Sequence, residues 1–281
     1  MMFKILVLQR LYNLSDDQTE YQINDRMSFM RFLGINLCDK VPDAKTIWKF
    51  KNDLAETKTV NTLFCMFDEH LENKGLISHK GTIVDATFVD APRQRNSRDE
   101  NKKIKNGVIP EEWEKPENKS KLAQKDIDAD WTKKNGERHF GYKDHVKCDA
   151  DSKLITNYSI TSASVHDSQR CLVFIGQEDE VLYADSAYSG KPIALALPEN
   201  CKNQICEKGY RNSPLTSEQK MNNRRKSRIR CRIEQIFGFM TGAMHGITIR
   251  SIGITRAWMN IGITNLVYNF CRYSYLKRAS A

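Results

Sequence analysis

The chain has 281 residues, 40% of them hydrophobic, and a formal net charge of +9. This length accommodates one large domain, or a catalytic domain with a smaller helical companion. No apolar run approaches the ~18 residues of a membrane-spanning helix, so we expect no membrane span. The eight cysteines include no C-x-x-C pair. That spacing argues against structural zinc and indicates reduced thiols in a cytoplasmic protein.

The positive charge is concentrated at one end of the chain. Residues 219–281 contain twelve Lys or Arg residues and a single acid, Glu234, whereas the remainder contains 32 basic and 34 acidic residues. Such asymmetry indicates a polyanionic partner, either nucleic acid or an anionic membrane surface.

Residues 1–80 show the periodicity of several short helices. Met27–Leu37 is apolar at helical spacing, and the Pro42-Asp43 pair is a typical helix start. We therefore predict a small all-helical region for DNA binding or dimerisation. Two interpretations of its helices stay open at this point, a DNA-reading helix-turn-helix and a plain bundle core.

A strand is predicted at 82–90, where the residues are β-branched and almost continuously apolar. This pattern is typical of a central strand that is covered on both faces. Asp85 interrupts it, and a buried carboxylate is costly unless it is hydrogen-bonded, paired or bound to a cation. Asp85 is therefore a candidate metal ligand or a structural Asp, with Asp90 at the strand end as the alternative ligand.

The segment 93–140 has a different composition. Of its 48 residues, 23 are charged (thirteen basic and ten acidic), and its apolar residues are isolated. This pattern predicts a mobile, solvated insertion, which serves either as a linker or as a segment that orders on DNA.

The remaining elements alternate between strands and helices. Two strands form a hairpin over 139–161, and a helix follows from His166 to Ile175. A further buried strand carries Asp185 at its carboxyl end, and a short helix and a short strand precede the basic helix that contains Glu234. A buried closing helix ends the chain. This order predicts an α/β fold in which a mixed sheet is flanked by helices.

The basic helix carries Glu234 beside an apolar stripe of Ile229, Ile233, Ile236 and Met240. Arg230 lies one turn before Glu234. The simple interpretation is an intrahelical Arg–Glu pair worth a few tenths of a kcal/mol. The alternative is that Glu234 is a metal ligand in a site that binds a polyanion, where the surrounding Lys and Arg side chains contact the phosphates.

Three acids that are far apart in sequence can therefore converge: Asp85, Asp185 and Glu234. Phosphodiester cleavage by two metal ions requires hard oxygen ligands of this type, with one ion at the nucleophile and one at the leaving oxygen. Each acid alone is a weak signal. Their order along the chain, together with the basic segment, favours a metal-dependent nuclease.

Six motifs carry a family resemblance across most of the chain. They are Pro42-Asp-Ala-Lys-Thr-Ile-Trp-Lys-Phe-Lys, Val84-Asp-Ala-Thr, His139-Phe-Gly-Tyr-Lys, Ser162-Ala-Ser-Val-His-Asp, Tyr183-Ala-Asp-Ser-Ala-Tyr and Arg230-Cys-Arg-Ile-Glu-Gln-Ile-Phe-Gly. In this order they resemble the DDE transposases of bacterial insertion sequences, specifically the insertion-sequence-five family.

The resemblance implies an RNase H-like catalytic domain over 81–281, with Asp85, Asp185 and Glu234 as catalytic residues and ligands of two Mg²⁺ ions. Mn²⁺ can substitute at all-oxygen ligands. The implied partners are the terminal inverted repeats of the element and target DNA, bound by a homodimer in the cytoplasm at the nucleoid. The resemblance implies Arg230 as a DNA-phosphate or site-ordering residue. The expected DNA-contacting residues are Arg224, Arg225, Lys226, Arg228, Arg230 and Arg232.

The sequence departs from the family pattern in two places. It begins later than family members usually do, so we expect that part of the amino-terminal region is missing. The usual basic residue after the Glu is replaced at Phe239, Met240 and Thr241. Two rival functions remain: a truncated, non-catalytic DNA-binding derivative or repressor, and a nuclease that hydrolyses strands without joining them.

Overall fold

The computed structural model describes residues 1–134 and 136–279, which contain a six-stranded mixed sheet flanked by helices. Asn135, within the expected insertion, and residues 280–281, at the end of the expected catalytic domain, lie outside the described residues. The strands are β1 (Thr82–Asp90), β2 (Asp130–Lys134), β3 (Glu137–Asp149), β4 (Ile155–Ser162), β5 (Val181–Tyr183) and β6 (Lys202–Asn203).

The strand order is β2-β3-β1-β5-β6, and β4 pairs with β3. Strands β1, β2 and β4 each run antiparallel to β3, whereas β5 and β6 extend the sheet in parallel with β1. Strand β1 is therefore central, as its apolar sequence predicted. This sheet confirms the predicted α/β class with an RNase H-like arrangement.

Gly141 marks the place where β3 crosses the end of β1. Its φ is +146°, and a Cβ there would lie 2.3 Å from the carbonyl oxygen of Val89. The close approach explains the glycine in the His139-Phe-Gly-Tyr-Lys motif, because every other side chain would separate the two strands. The part of β3 that precedes Gly141 pairs with β2, and the part that follows it pairs with β1 and β4.

Five helices form the amino-terminal region, as predicted: α1 (Met2–Leu11), α2 (Asp16–Asp25), α3 (Met27–Leu33), α4 (Ala44–Glu56) and α5 (Thr59–Asn73). The Asp43 side chain accepts a hydrogen bond from Thr46 N–H (2.7 Å) and caps α4, which confirms the helix start at Pro42-Asp43. Of these helices, α1, α4 and α5 pack against the closing helix α12 (Ile254–Ala279), and α2 and α3 pack against the other amino-terminal helices. Nearly every residue from 257 to 269 is buried, so α12 joins the helical region to the sheet.

The insertion is folded, which corrects the expectation of a mobile, solvated segment. Besides β2, residues 98–123 form α6 (Arg98–Lys105), α7 (Glu111–Glu114), a 3₁₀ turn (Pro116–Asn118) and α8 (Lys119–Ala123). The buried Trp113 indole donates a hydrogen bond to Glu100 (2.8 Å), and two ammonium groups, of Lys121 and Lys125, lie over its ring. The insertion is ordered around a single buried aromatic ring with cations against it. It lacks the periodic apolar face by which sequence patterns detect a folded segment.

Acids of the insertion fasten it to the rest of the molecule. Both carboxylate oxygens of buried Asp126 accept from the Tyr142 hydroxyl of β3, at 2.8 and 2.7 Å. The carboxylate of Asp128 accepts the Ile254 N–H (2.9 Å) at the start of α12. These contacts place the insertion against the sheet and the closing helix.

Three helices remain: α9 (Ser168–Phe174), α10 (Lys191–Ala196) and the long α11 (Ser217–Thr241). A capping box between Thr216 and Gln219 starts α11, and its buried residues Ile233, Ile236 and Met240 face the sheet. Helix α11 thereby lies against β1 and β5. Of the helices in the described ranges, none combines the length and the apolar character that crossing a membrane requires.

Candidate active site

The first two acids belong to neighbouring parts of the sheet: Asp85 lies within β1, and Asp185 follows the end of β5 by two residues. In the parallel pair of β1 and β5, Thr82 lies opposite Leu182 and Ile83 opposite Tyr183. The same register, extended by two residues, sets Asp185 beside Asp85. Strand β5 ends just before Asp185, so this acid stands at the carboxyl edge of the parallel strands, where a loop leaves the sheet.

The loop conformation fixes the orientation of Asp185. Its Oδ1 accepts the Ala187 N–H (2.7 Å) and caps the 3₁₀ turn Ser186–Tyr188. This Asx-type contact occupies one carboxylate oxygen and accounts for the Asp-Ser-Ala sequence at the strand end.

Arg230 joins the other two acids. Its Nη1 donates to Asp85 Oδ2 (2.9 Å) and its Nη2 donates to Glu234 Oε1 (2.7 Å). The simple interpretation, an Arg–Glu pair within the helix, is therefore correct in part, since the i, i+4 pair is present. However, the same guanidinium reaches 145 residues back to β1. We refer to Asp85, Asp185, Glu234 and Arg230 as the triad site.

The electrostatics of the triad site are those of crowded carboxylates. Burial raises the pKa of Asp85 to about 6, the Ala86 N–H and the Arg230 guanidinium act in the opposite direction, and the charge of Asp185 raises it further. Burial lowers the pKa of Arg230, but Asp85, Glu234 and Asp185 outweigh that effect and hold it above its ordinary value. Asp185 therefore lies close enough to influence both groups.

Accessibility differs among the acids. The Asp85 side chain is 15% exposed and that of Glu234 is 56% exposed. A cation can therefore reach Glu234 from solvent, and the partly buried Asp85 is linked to it through Arg230. Asp90, the alternative ligand on β1, is 68% exposed and approaches His139 at 3.8 Å rather than the triad site.

Tyr188 is a site residue that the sequence analysis did not single out. Its hydroxyl is buried and has no hydrogen-bond partner in the described part of the chain. Burial raises its pKa, and the charges of Asp85 and Asp185 raise it further. In the sequence, the feature that could have identified Tyr188 is its position three residues after Asp185, at the end of the motif Tyr-Ala-Asp-Ser-Ala-Tyr.

The basic residues of α11 divide into two groups. Arg232 donates to the Ala150 carbonyl (2.7 Å) and to Asp151 (3.0 Å), and Lys226 donates to the Ile205 carbonyl (2.9 Å). These two side chains fasten the helix to the sheet. The others besides Arg230 are exposed and make no side-chain hydrogen bond within the described residues: Lys220, Arg224, Arg225 and Arg228.

A second acidic group lies apart from the triad site. Among the described residues, His79, Glu178 and Asp179 are a set whose ligand-type atoms all lie within 4.8 Å of one another. The Lys147 ammonium already lies there, 2.9 Å from Asp179 and 3.6 Å from Glu178. The three carboxylates of the triad site form no such close set, because Arg230 stands between Asp85 and Glu234.

Comparison with known proteins adds independent findings. Residues 77–270 match the model of the family described as "Transposase DDE domain", and residues 1–53 match that described as "Transposase domain (DUF772)". The first match covers more than two thirds of the chain, and it includes all four residues of the triad site.

Among solved structures, the chain is similar to one described as a piggyBac transposase synaptic complex with hairpin DNA. The TM-score is 0.45 and the sequence identity 10%, over 98% of this chain and 66% of the other. The chain thus spans about two thirds of that protein's length. On the strength of the match over residues 77–270, the chain belongs to the family of the transposase DDE domain.

Proposed function

We propose that this protein is a transposase of the insertion-sequence-five type. It cleaves DNA at the ends of its element and joins the freed 3′-hydroxyl to target DNA, using Asp85, Asp185 and Glu234. One observation carries the proposal: acids from β1, from the loop after β5 and from α11 surround a single guanidinium, that of Arg230.

The donor set suits Mg²⁺. All three side chains offer hard carboxylate oxygens, and three carboxylates against one guanidinium leave an excess of negative charge around the partly buried Asp85. We propose these three residues as the ligands of two Mg²⁺ ions, for which Mn²⁺ can substitute. Bound Mg²⁺ supplies positive charge that polarises the scissile phosphate and favours deprotonation of the attacking hydroxyl.

The chain's own residues hold this site in shape. The 3₁₀ turn orients Asp185, the central strand fixes Asp85, and α11 presents Glu234 towards solvent. Arg230 neutralises part of the acidic charge and is positioned to contact a DNA phosphate when a cation takes over its carboxylate partners. The exposed Arg224, Arg225 and Arg228 extend this basic surface along the helix, with Lys226 and Arg232 beside them.

Coupling the two ends of the element requires partners, and the proposal includes them. We propose a homodimer on DNA, with residues 1–80 as the region that binds the terminal repeats and residues 81–281 as the catalytic domain. Because the proposed substrate is chromosomal DNA, we propose that the protein acts at the nucleoid.

The test is Mg²⁺-dependent cleavage and joining of labelled element-end DNA by the wild type and by Asp185→Asn. We expect the variant to lose cleavage and to retain DNA binding. The matched control is Asp90→Asn, which changes an exposed acid at the end of β1. This variant should cleave normally. Undiminished cleavage by Asp185→Asn would refute the proposal.

Two other outcomes would identify the rival functions. Binding of end DNA by the wild type without any nicking would identify a non-catalytic DNA-binding protein or repressor. Nicked products without joined products would identify a nuclease that only hydrolyses.

A further inference from the structure

The folded insertion contains a basic cleft of about 700 Å³. Its walls come from the segment after β1, from α6 and from the β2–β3 hairpin. Six cationic side chains line it, against one acid, Asp130. The six, which we call the cleft cations, are Arg93, Arg98, Lys102, Lys105, Lys133 and Arg138.

The basic and acidic residues of the insertion are distributed unevenly between the cleft and the rest of the insertion. The whole insertion has thirteen basic and ten acidic residues. Six of the thirteen bases and one of the ten acids line the cleft. Several of the acids are used elsewhere, since Asp126 accepts from Tyr142, Asp128 caps α12 and Glu100 holds Trp113. The carboxylate of Asp130 itself accepts the Trp131 N–H (2.7 Å).

Within the described part of the chain, the cleft cations have no anionic partner. Across residues 1–134 and 136–279, none of the six forms a salt bridge or donates a side-chain hydrogen bond. All six are exposed, and Arg93 lies over the Trp131 ring at 5.8 Å. They are therefore free to bind an external anion.

The arrangement of the cations favours a polyanion over a single anionic group. On α6, Arg98, Lys102 and Lys105 are spaced i, i+4, i+7, so they share one face along about 10 Å of helix. A DNA strand rises ~3.4 Å per phosphate, so this row spans about three phosphates. The buried Ile104 holds the opposite face of the helix against the protein.

The hairpin brings this surface towards the triad site. The Lys134 ammonium, next to the cleft residue Lys133, lies 5.5 Å from the ring centroid of Phe88, three residues beyond Asp85 on β1. Its charge also lowers the pKa of Asp85. The hairpin that carries Lys133 and Arg138 of the cleft therefore lies within electrostatic range of Asp85.

We propose that the cleft of the insertion is a second DNA-backbone site, which holds the duplex beside the triad site. The proposal rests on the proposed function for its choice of DNA among polyanions. In this arrangement the cleft cations contact successive phosphates and do not read base sequence.

The test measures binding of a fluorescein-labelled, mixed-sequence 30-base-pair duplex by fluorescence anisotropy, in EDTA and over a range of salt concentrations. The variant is Arg98→Gln/Lys102→Gln/Lys105→Gln. The matched control, Lys103→Gln/Lys115→Gln/Lys119→Gln, removes the same charge from exposed residues of the same insertion outside the cleft. Thermal unfolding verifies that both variants fold.

We expect the cleft variant to bind at least roughly ten-fold more weakly at 0.1 M salt and to reduce the salt slope by about 2 to 3. The control should change each quantity by less than half as much. Equal changes in the two variants would overturn the proposal. So would weakened binding of the cleft variant to anionic phospholipid vesicles or to polyglutamate with unchanged duplex binding.

The design separates this proposal from the proposed function. EDTA removes divalent ions, so the binding measurement does not depend on the triad. If Asp185→Asn still cleaves while the cleft variant loses duplex binding, the catalytic proposal fails and the cleft remains a DNA site. If the cleft variant binds like its control, the proposal of a DNA site in the cleft is refuted and the catalytic proposal is unaffected.

Discussion

Two clusters in this protein place a cation among carboxylates, and they differ in burial. In the first, the Lys147 ammonium contacts Glu178 and Asp179; we refer to these three residues as the Lys147 cluster. The Lys147 side chain is 8% exposed and that of Asp179 only 2%. In the triad site, Arg230 contacts Asp85 and Glu234, and the Glu234 side chain is 56% exposed.

The Lys147 cluster is saturated with donors. The Asp179 carboxylate accepts from Thr82 Oγ1 (2.6 Å), Lys147 Nζ (2.9 Å) and the Gly176 N–H (2.9 Å). These donors come from β1, β3 and the segment before β5. The cluster therefore acts as a fastener between elements of the sheet, although its acids lie closer together than those of the triad site.

The comparison shows that the proximity of acidic side chains does not identify a metal site. What distinguishes the triad site is that its acids come from three segments far apart in the chain, whereas Glu178 and Asp179 are adjacent residues. Its less exposed acid, Asp85, is 15% exposed, compared with 2% for Asp179. The counter-ion of the triad acids is an arginine whose side chain is 20% exposed, whereas the lysine of the Lys147 cluster is 8% exposed.

The largest expected effect separates the two clusters by activity. We expect Glu234→Gln to reduce Mg²⁺-dependent cleavage of element-end DNA at least about 10³-fold, which corresponds to about 4 kcal/mol of barrier. The loss follows from removing a proposed charged ligand. Glu178→Gln, in the Lys147 cluster, should cleave within two-fold of the wild type, and equal losses in both variants would contradict the distinction.

The next effect concerns stability. Lys147→Met leaves the buried Asp179 carboxylate without its cation and should lower the free energy of unfolding by about 3 kcal/mol. Chemical denaturation measures this change. Arg230→Met, at the more exposed cluster, should cost less than half as much; if it costs more, Arg230 is mainly a structural residue.

A smaller effect tests Arg230 as a competitor of the metal ion. Arg230→Gln removes a positive charge from between Asp85 and Glu234, so we expect Mn²⁺ to bind about ten-fold more tightly. Electron paramagnetic resonance of free Mn²⁺ measures the affinity without any DNA. The control Arg225→Gln, on an exposed part of the same helix, should change it little. Weaker binding to Arg230→Gln would show that the arginine orders the ligands instead.

The smallest effect concerns a buried acid in neither cluster. Asp144 of β3 is fully buried, and burial raises its pKa despite a hydrogen bond from Asn265 (3.2 Å). The folded state therefore binds a proton that the unfolded chain releases above its ordinary pKa of ~3.9, and stability falls as pH rises beyond that value. Asp144→Asn removes this titration and adds an N–H donor.

We expect the stability advantage of Asp144→Asn over the wild type to grow by at least about 1 kcal/mol between pH 4 and pH 7, because each pKa unit is worth about 1.4 kcal/mol. Urea denaturation across this range measures it. The exposed Asp53→Asn serves as the control, and parallel stability curves for Asp144→Asn and the wild type would contradict the assignment.

Much of the architecture was predictable because the signals are local. The β-branched run at 82–90 matches β1 residue for residue, and the Pro42-Asp43 start matches a capped helix. The stripe at Ile233, Ile236 and Met240 faces the core as expected. Each of these features depends on periodicity or capping within a few residues.

The folded insertion was not predictable in the same way. Its order depends on isolated side chains with distant partners, such as Trp113 between lysines and Asp126 on Tyr142. In the triad site, the sequence indicated the three acids and the Arg230–Glu234 pair. The bond from Arg230 to Asp85 spans 145 residues, and no local pattern encodes it.

We propose that divalent ions bind at Asp85, Asp185 and Glu234. Anomalous diffraction from crystals soaked in Mn²⁺ locates the ion without requiring activity. We expect an anomalous peak among these three carboxylates, with the Arg230 guanidinium displaced. A peak at His79, Glu178 and Asp179, with none at the triad site, would contradict it.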